Sequence, residues 1–128
     1  MELDHVGIAV EDIDDALSFY RDILGLEVNH EEEFGGMRIV FLEAGKGEFE
    51  LLEPLDDEGA VARFIEKRGE GIQHVAVEVD DVADELKRLR ERGVTLIDEE
   101  PRPGAGGKRI AFVHPRDTNG VLLELCEY

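Results

Sequence analysis

The chain has 128 residues, 42% of them hydrophobic, with a single cysteine and 32 acidic against 14 basic side chains for a formal charge of −18. At roughly 150 residues per domain that is one domain with enough apolar material for a core, and the lone Cys126 excludes an internal disulfide framework and a cysteine-built zinc site. The negative charge disfavours nucleic acid and anionic membranes as partners, and no apolar run reaches the ~18 residues of a membrane span.

The opening residues lack the basic start and cleavable end of a signal peptide, so a cytoplasmic protein is expected. The acidic surplus is spread through a well-patterned sequence rather than gathered in a tail. It reads as adaptation to high salt, where at ~1 M the screening length falls to roughly 3 Å and self-repulsion is largely removed.

In chain order, Leu3 to Leu17 (LDHVGIAVEDIDDAL) begins with the alternation of a strand. Val6, Ile8 and Val10 fall on one face, and His5, Gly7 and Ala9 on the other. Asp12 is a helix cap, and Ile13, Leu17, Tyr20 and Leu24 space an apolar helical stripe that Gly25 ends. His30, amid HEEE, reads as a solvated surface residue. Arg38 to Leu42 (RIVFL) and the stretch around Glu50 supply further strands. The segment from Leu55 to Gly71 is a linker with a short helix around Ala60 to Lys67.

Ile72 to Leu86 (IQHVAVEVDDVADEL) then repeats the opening, with His74 on His5, Asp81 on Asp12 and Leu86 on Leu17. Val82, Leu86 and Leu89 make its helical stripe, ended by Gly93. Glu99 to Lys108 (EEPRPGAGGK) carries two prolines and three glycines and predicts an irregular loop able to close over a ligand. Arg109 to Val113 (RIAFV) repeats RIVFL, and Glu124 takes the place of Glu50. The expected fold is α+β: one domain of two tandem β-α-β-β-β modules, about 1–54 and 72–128, joined by 55–71.

Each repeat thus brings one histidine on the face opposite its valines, beside a small residue that leaves space, and one glutamate embedded in an apolar strand. A carboxylate in such a strand is costly unless paired or bound to a cation. Nitrogen and oxygen donors without thiolate suit a borderline divalent ion, so His5, Glu50, His74 and Glu124 are the candidate ligands. His114, before Pro115, either shapes the site or caps a turn.

At these residues the sequence resembles the vicinal oxygen chelate superfamily, whose paired modules form a curved mixed sheet around a metal cleft, and within it the methylmalonyl-CoA epimerases. The likeness runs from LDHVGIAVEDIDDALSFYRDILGLEV through FELLEPLDDEGAVARFIEKRGEGIQHVAVEVDD to EEPRPGAGGKRIAFVHPRDTNGVLLEL. It implies His5, Glu50, His74 and Glu124 as ligands of a divalent ion, Co²⁺ foremost, with Mn²⁺, Ni²⁺ or Zn²⁺ as alternatives.

It further implies interconversion of (2R)- and (2S)-methylmalonyl-CoA by removal and return of the C2 proton, an acyl-CoA as substrate and a homodimer. Glu124 is then one acid/base, and Glu50 or Glu43 the other, since Ile39 stands where several members carry a second carboxylate. Arg102, Lys108 and Arg109 are the cations expected at the CoA. The alternatives are a glyoxalase-I-like metal-dependent isomerase and a metal-free small-molecule-binding protein of the same fold.

Overall fold

A computed structural model describes residues 1–128 and divides the chain into two compact units. One is His5–Gln73; the other is His74–Tyr128 together with Met1–Asp4.

The first unit holds β1 (Glu2–Ala9) from His5 onward, α1 (Ile13–Leu17) and β2 (Glu27–Phe34). It continues with β3 (Met37–Ala44), β4 (Gly47–Pro54) and α2 (Ala60–Arg68). Its strands lie in the order β2-β3-β4-β1, β1 running parallel to β4 and the others antiparallel. Ile8, Val10, Val40, Leu42 and Leu51 pack with Ile13 and Leu17 of α1, so the predicted valine and isoleucine face is the one the helix covers. The other unit holds β5 (Gly71–Glu78) from His74, α3 (Val82–Glu91), β6 (Arg102–Pro103), β7 (Arg109–Val113) and β8 (Leu123–Glu127). Its order is β5-β8-β7-β6, with β5 parallel to β8. Val79, Val82, Leu86, Ala111, Val113 and Leu125 form its core. The β-α-β-β-β succession of the sequence repeat is therefore present twice, and the fold is α+β.

Two expectations need correction. The stripe Ile13, Leu17, Tyr20, Leu24 does not continue through one α-helix, because α1 ends at Leu17 and Ser18–Ile23 winds as a π-helical turn. The Leu24 amide reaches back five residues to the Phe19 carbonyl (2.7 Å), and that wider turn rotates Leu24 out, leaving it half exposed. The Pro- and Gly-rich loop is also more regular than predicted. Arg102 pairs with Ile110 across β6 and β7, and Ala105–Gly107 forms a 3-10 turn. Gly104 lies so close to Ile110 that a Cβ would sit 2.7 Å from its Cγ2, which explains a glycine there without any role in loop freedom.

The repeat runs deeper than its apolar pattern. Asp12 and Asp81 cap α1 and α3 by accepting from the amides of Asp15 (3.2 Å) and Asp84 (3.0 Å). The first amide of each helix is bound by a glutamate from the last strand of its own module: Glu53 accepts from Ile13 N–H at 2.7 Å and Glu127 from Val82 N–H at 2.8 Å. Each glutamate stands three residues beyond Glu50 or Glu124, so the strand carrying the candidate ligand is tied to the helix start. Replacing either with Ala strands a part-buried amide and is expected to cost about 1–2 kcal/mol. Urea denaturation measures this, and midpoints unchanged from the parent would refute it.

Candidate metal centre

Strand register places the candidate ligands. On β1, His5 is followed by Gly7, which pairs with Glu50 of β4. On β5, His74 is followed by Ala76, which pairs with Glu124 of β8. The small residue lets the histidine of one strand lean across to the glutamate of the next. His5 Nε2 lies 3.2 Å from Glu50 Oε2, and His74 Nε2 lies 3.6 Å from Glu124 Oε1. All four side chains are buried: His5 is 1% exposed, His74 4%, and Glu50 and Glu124 5% each. An aromatic closes the far side of each glutamate, for Glu50 pairs with Phe41 and Glu124 with Phe112. Phe112 meets His74 edge-on at 5.8 Å.

The donor set fits a borderline divalent cation. Imidazole nitrogen and carboxylate oxygen bind such an ion at about 2.0–2.2 Å, which spaces neighbouring donors about 3.0 Å apart at right angles and about 3.4 Å at the tetrahedral angle. The His5–Glu50 separation of 3.2 Å falls within that spacing, and the His74–Glu124 separation of 3.6 Å lies just above it. A buried carboxylate facing an imidazole also carries a desolvation cost that a cation between them offsets.

The remaining candidates separate. Glu43 is exposed at the end of β3, in a cross-strand row with Glu27 and Glu48. Arg102 and Arg109 are exposed. The Arg102 guanidinium lies 5.4 Å from the Phe112 ring centroid and bonds Asp98 at 3.0 Å, and Arg109 pairs with Glu127 at 3.7 Å. Lys108 departs from the expectation of a surface cation at the CoA, because it is only 4% exposed. Its ammonium lies 3.8 Å from Asp4 Oδ2 and 5.7 Å from the Tyr128 ring, while the Tyr128 hydroxyl donates to Asp4 at 2.7 Å. His114 caps a turn, its Nδ1 accepting from the Arg116 amide at 2.9 Å. Burial, reinforced by the charges of Asp4 and Glu124, pushes the Cys126 thiol far up, so this sulfur stays protonated.

His30 is exposed, as its surroundings in the sequence suggested, and it also stands on the ligand-bearing face. The pairing of β2 with β3 shifts between Val28, opposite Leu42, and His30, opposite Phe41. That bulge at Asn29 turns His30 onto the face of Phe41 and Glu50 instead of the helix-covered face of Leu42. The signal was a local irregularity that alternation alone cannot reveal.

A family model described as the Glyoxalase/Bleomycin resistance protein/Dioxygenase superfamily matches residues 4–112. The uncharacterized protein YqjC of Bacillus subtilis is 48% identical over 98% of this chain and 91% of its own length. An ethylmalonyl-CoA/methylmalonyl-CoA epimerase of Cereibacter sphaeroides is 40% identical, covering 96% of this chain and 95% of the relative. Among solved structures, a Streptomyces coelicolor methylmalonyl-CoA epimerase in complex with 2-nitronate-propionyl-CoA superposes with a TM-score of 0.94 at 38% identity, over 99% of this chain and 94% of that one.

Proposed function

The chain belongs to the Glyoxalase/Bleomycin resistance protein/Dioxygenase superfamily, and on that premise we propose that it is a metal-dependent epimerase interconverting (2R)- and (2S)-methylmalonyl-CoA. The observation that carries the reading is the buried His–Glu pair built identically into each unit. Relatives of nearly the same length that are named as epimerases support the substrate.

His5, Glu50, His74 and Glu124 are the residues that would hold the ion. A divalent ion held there would supply Lewis acidity to stabilise the enolate. The protein's own part is proton transfer. Breaking the C2–H bond leaves its electron pair on the thioester as an enolate, and a proton must then return on the opposite face. Glu124 serves one of those faces, within an apolar surround of Ala76, Ile110 and Phe112 that limits water near the enolate. Arg102, over the Phe112 ring, is the exposed cation on the Glu124 face for the CoA phosphates; Arg109 stands on the helix-covered face with Glu127, and Lys108 is buried.

The deciding experiment follows C2 of (2R)-methylmalonyl-CoA by NMR in D₂O with protein that is Co²⁺-loaded, chelator-treated, or chelator-treated and reloaded. Deuterium uptake with loss of stereochemical purity, abolished by chelation and restored by Co²⁺, is expected. No exchange with any divalent ion, at low or high salt, overturns the assignment in favour of the glyoxalase-type or binding-protein alternative.

A further inference from the structure

Inversion needs two proton-transfer groups, one on each face of the enolate, and the first unit offers few. On the sheet face that carries His5 and Glu50, successive cross-strand rows read Gly7, Glu50, Phe41, His30 and then Ala9, Leu52, Ile39, Glu32. Ile39 and Leu52 carry no exchangeable proton. Glu50, buried against His5 as Glu124 is against His74, is the one carboxylate this unit places in a buried pair with a histidine. Glu43 stands one row away, between Glu27 and Glu48.

We propose that His30, held by Glu32, is the second acid/base of the epimerisation; the inference rests on the function proposed above. Four observations carry it. His30 occupies the same row as Glu50, two strands over, which at a strand spacing of about 4.8 Å puts the two backbones about 10 Å apart. Its ring lies over Phe41 at 5.5 Å and 32°. Its Nε2 lies 3.0 Å from Glu32 Oε1, the arrangement of a proton-carrying imidazole oriented by a carboxylate. The backbone is also fixed: Glu31, on the opposite face, accepts from Arg38 at 2.6 Å, and Arg38 also donates to Asp14 of α1 at 3.1 Å.

The repeat sharpens the point. In the other unit the aromatic that pairs with the ligand glutamate, Phe112, carries the Arg102 guanidinium on its ring. The corresponding aromatic here, Phe41, carries an imidazole instead. A guanidinium carries donors only, whereas a neutral imidazole has one nitrogen that donates and one that accepts a proton. One module thus presents a fixed positive charge where the other presents a proton carrier. His30 is about half exposed, so water resets it after each turnover.

The proton ledger closes. In one direction Glu124 takes the C2 proton, the electron pair passes to the thioester oxygen, and His30 returns a proton to the other face of C2 as the pair comes back. Glu124 then loses and His30 regains a proton by exchange with solvent. The reverse direction interchanges the two groups.

The test starts from each pure enantiomer of methylmalonyl-CoA in D₂O, with metal-loaded protein, and scores deuterium uptake and inversion separately for wild type, His30→Gln, Glu32→Gln and Glu43→Gln. His30→Gln is expected to lower inversion by about 100-fold or more while one enantiomer still exchanges its proton with retention at C2, and to keep the wild-type thermal midpoint. Glu32→Gln is expected to show the same asymmetry, more weakly. Inversion within threefold of wild type in His30→Gln, or equal loss of exchange from both enantiomers, overturns the proposal, as does transfer of the asymmetric signature to Glu43→Gln. Absence of exchange in wild type would instead remove the epimerase reading itself, and this inference with it.

Discussion

Replacing His74 with Ala is expected to abolish metal retention and, with it, C2 exchange. The imidazole is 4% exposed, is aimed at Glu124 by the Ala76 opening and is braced by the edge of Phe112. The imidazole is therefore held toward Glu124, the orientation that the proposed metal site requires. Lewis-acid stabilisation of the enolate amounts to several kcal/mol, and at 1.36 kcal/mol per decade its loss means at least about a 100-fold fall in exchange rate. Because His5 occupies the same place in the repeat, His5→Ala is expected to behave alike. Metal content after equilibrium dialysis separates the roles. Loss of metal and exchange together is the expected result, whereas full metal content with lost exchange would make His74 an acid/base and not a ligand. Wild-type metal and exchange in both variants would remove the four-ligand centre from consideration.

These residues were legible in the sequence because the chain states its pattern twice. A single buried histidine carries little information. Two histidines, each two places before a small residue and each matched by a glutamate in an apolar strand, define two faces and one register. Internal duplication thus stood in for an alignment, and the helix-facing positions Val10, Ile13, Leu17 and Val79, Val82, Leu86 fell where alternation and helical spacing placed them.

What stayed hidden depends on local departures from period. The π turn at Ser18–Ile23 adds a residue to a helix whose spacing reads as ordinary. The bulge at Asn29 reverses which face His30 occupies, and sequence alternation counts straight through it. Glu53 and Glu127 were invisible for another reason. Each caps a helix forty or more positions away, a contact that exists only once the parallel strand has been laid down.

Lys108 is the clearest case in which residue type misled. A lysine in a Gly-rich loop reads as a solvent cation, yet the loop folds back through Gly104 N–H to Lys108 C=O at 2.9 Å, and β7 begins directly after it. The side chain is thereby drawn beneath the C-terminus, against Asp4 and Tyr128. The expected consequence of removing the charge is a loss of stability. Lys108→Met keeps the length and apolar stem but withdraws the ammonium from a buried carboxylate, and breaking a buried pair in this way costs about 3–5 kcal/mol. With Nζ at 3.8 Å from Oδ2, and with the Tyr128 hydroxyl still donating to Asp4, the lower end of that range is expected.

Removing the opposing charge as well, in Asp4→Asn with Lys108→Met, is expected to recover much of the loss, because no uncompensated charge then remains inside. Chemical denaturation of the four proteins of this cycle, run at ~1 M salt where the repulsion of a −18 chain is screened to a range of roughly 3 Å, reads the coupling directly. A Lys108→Met variant of undiminished stability whose KM for the acyl-CoA rises would return Lys108 to the substrate phosphates and contradict its burial. A destabilised variant with unchanged KM would instead assign the residue to the packing that holds β7 and β8 in register, and so to the placement of Glu124.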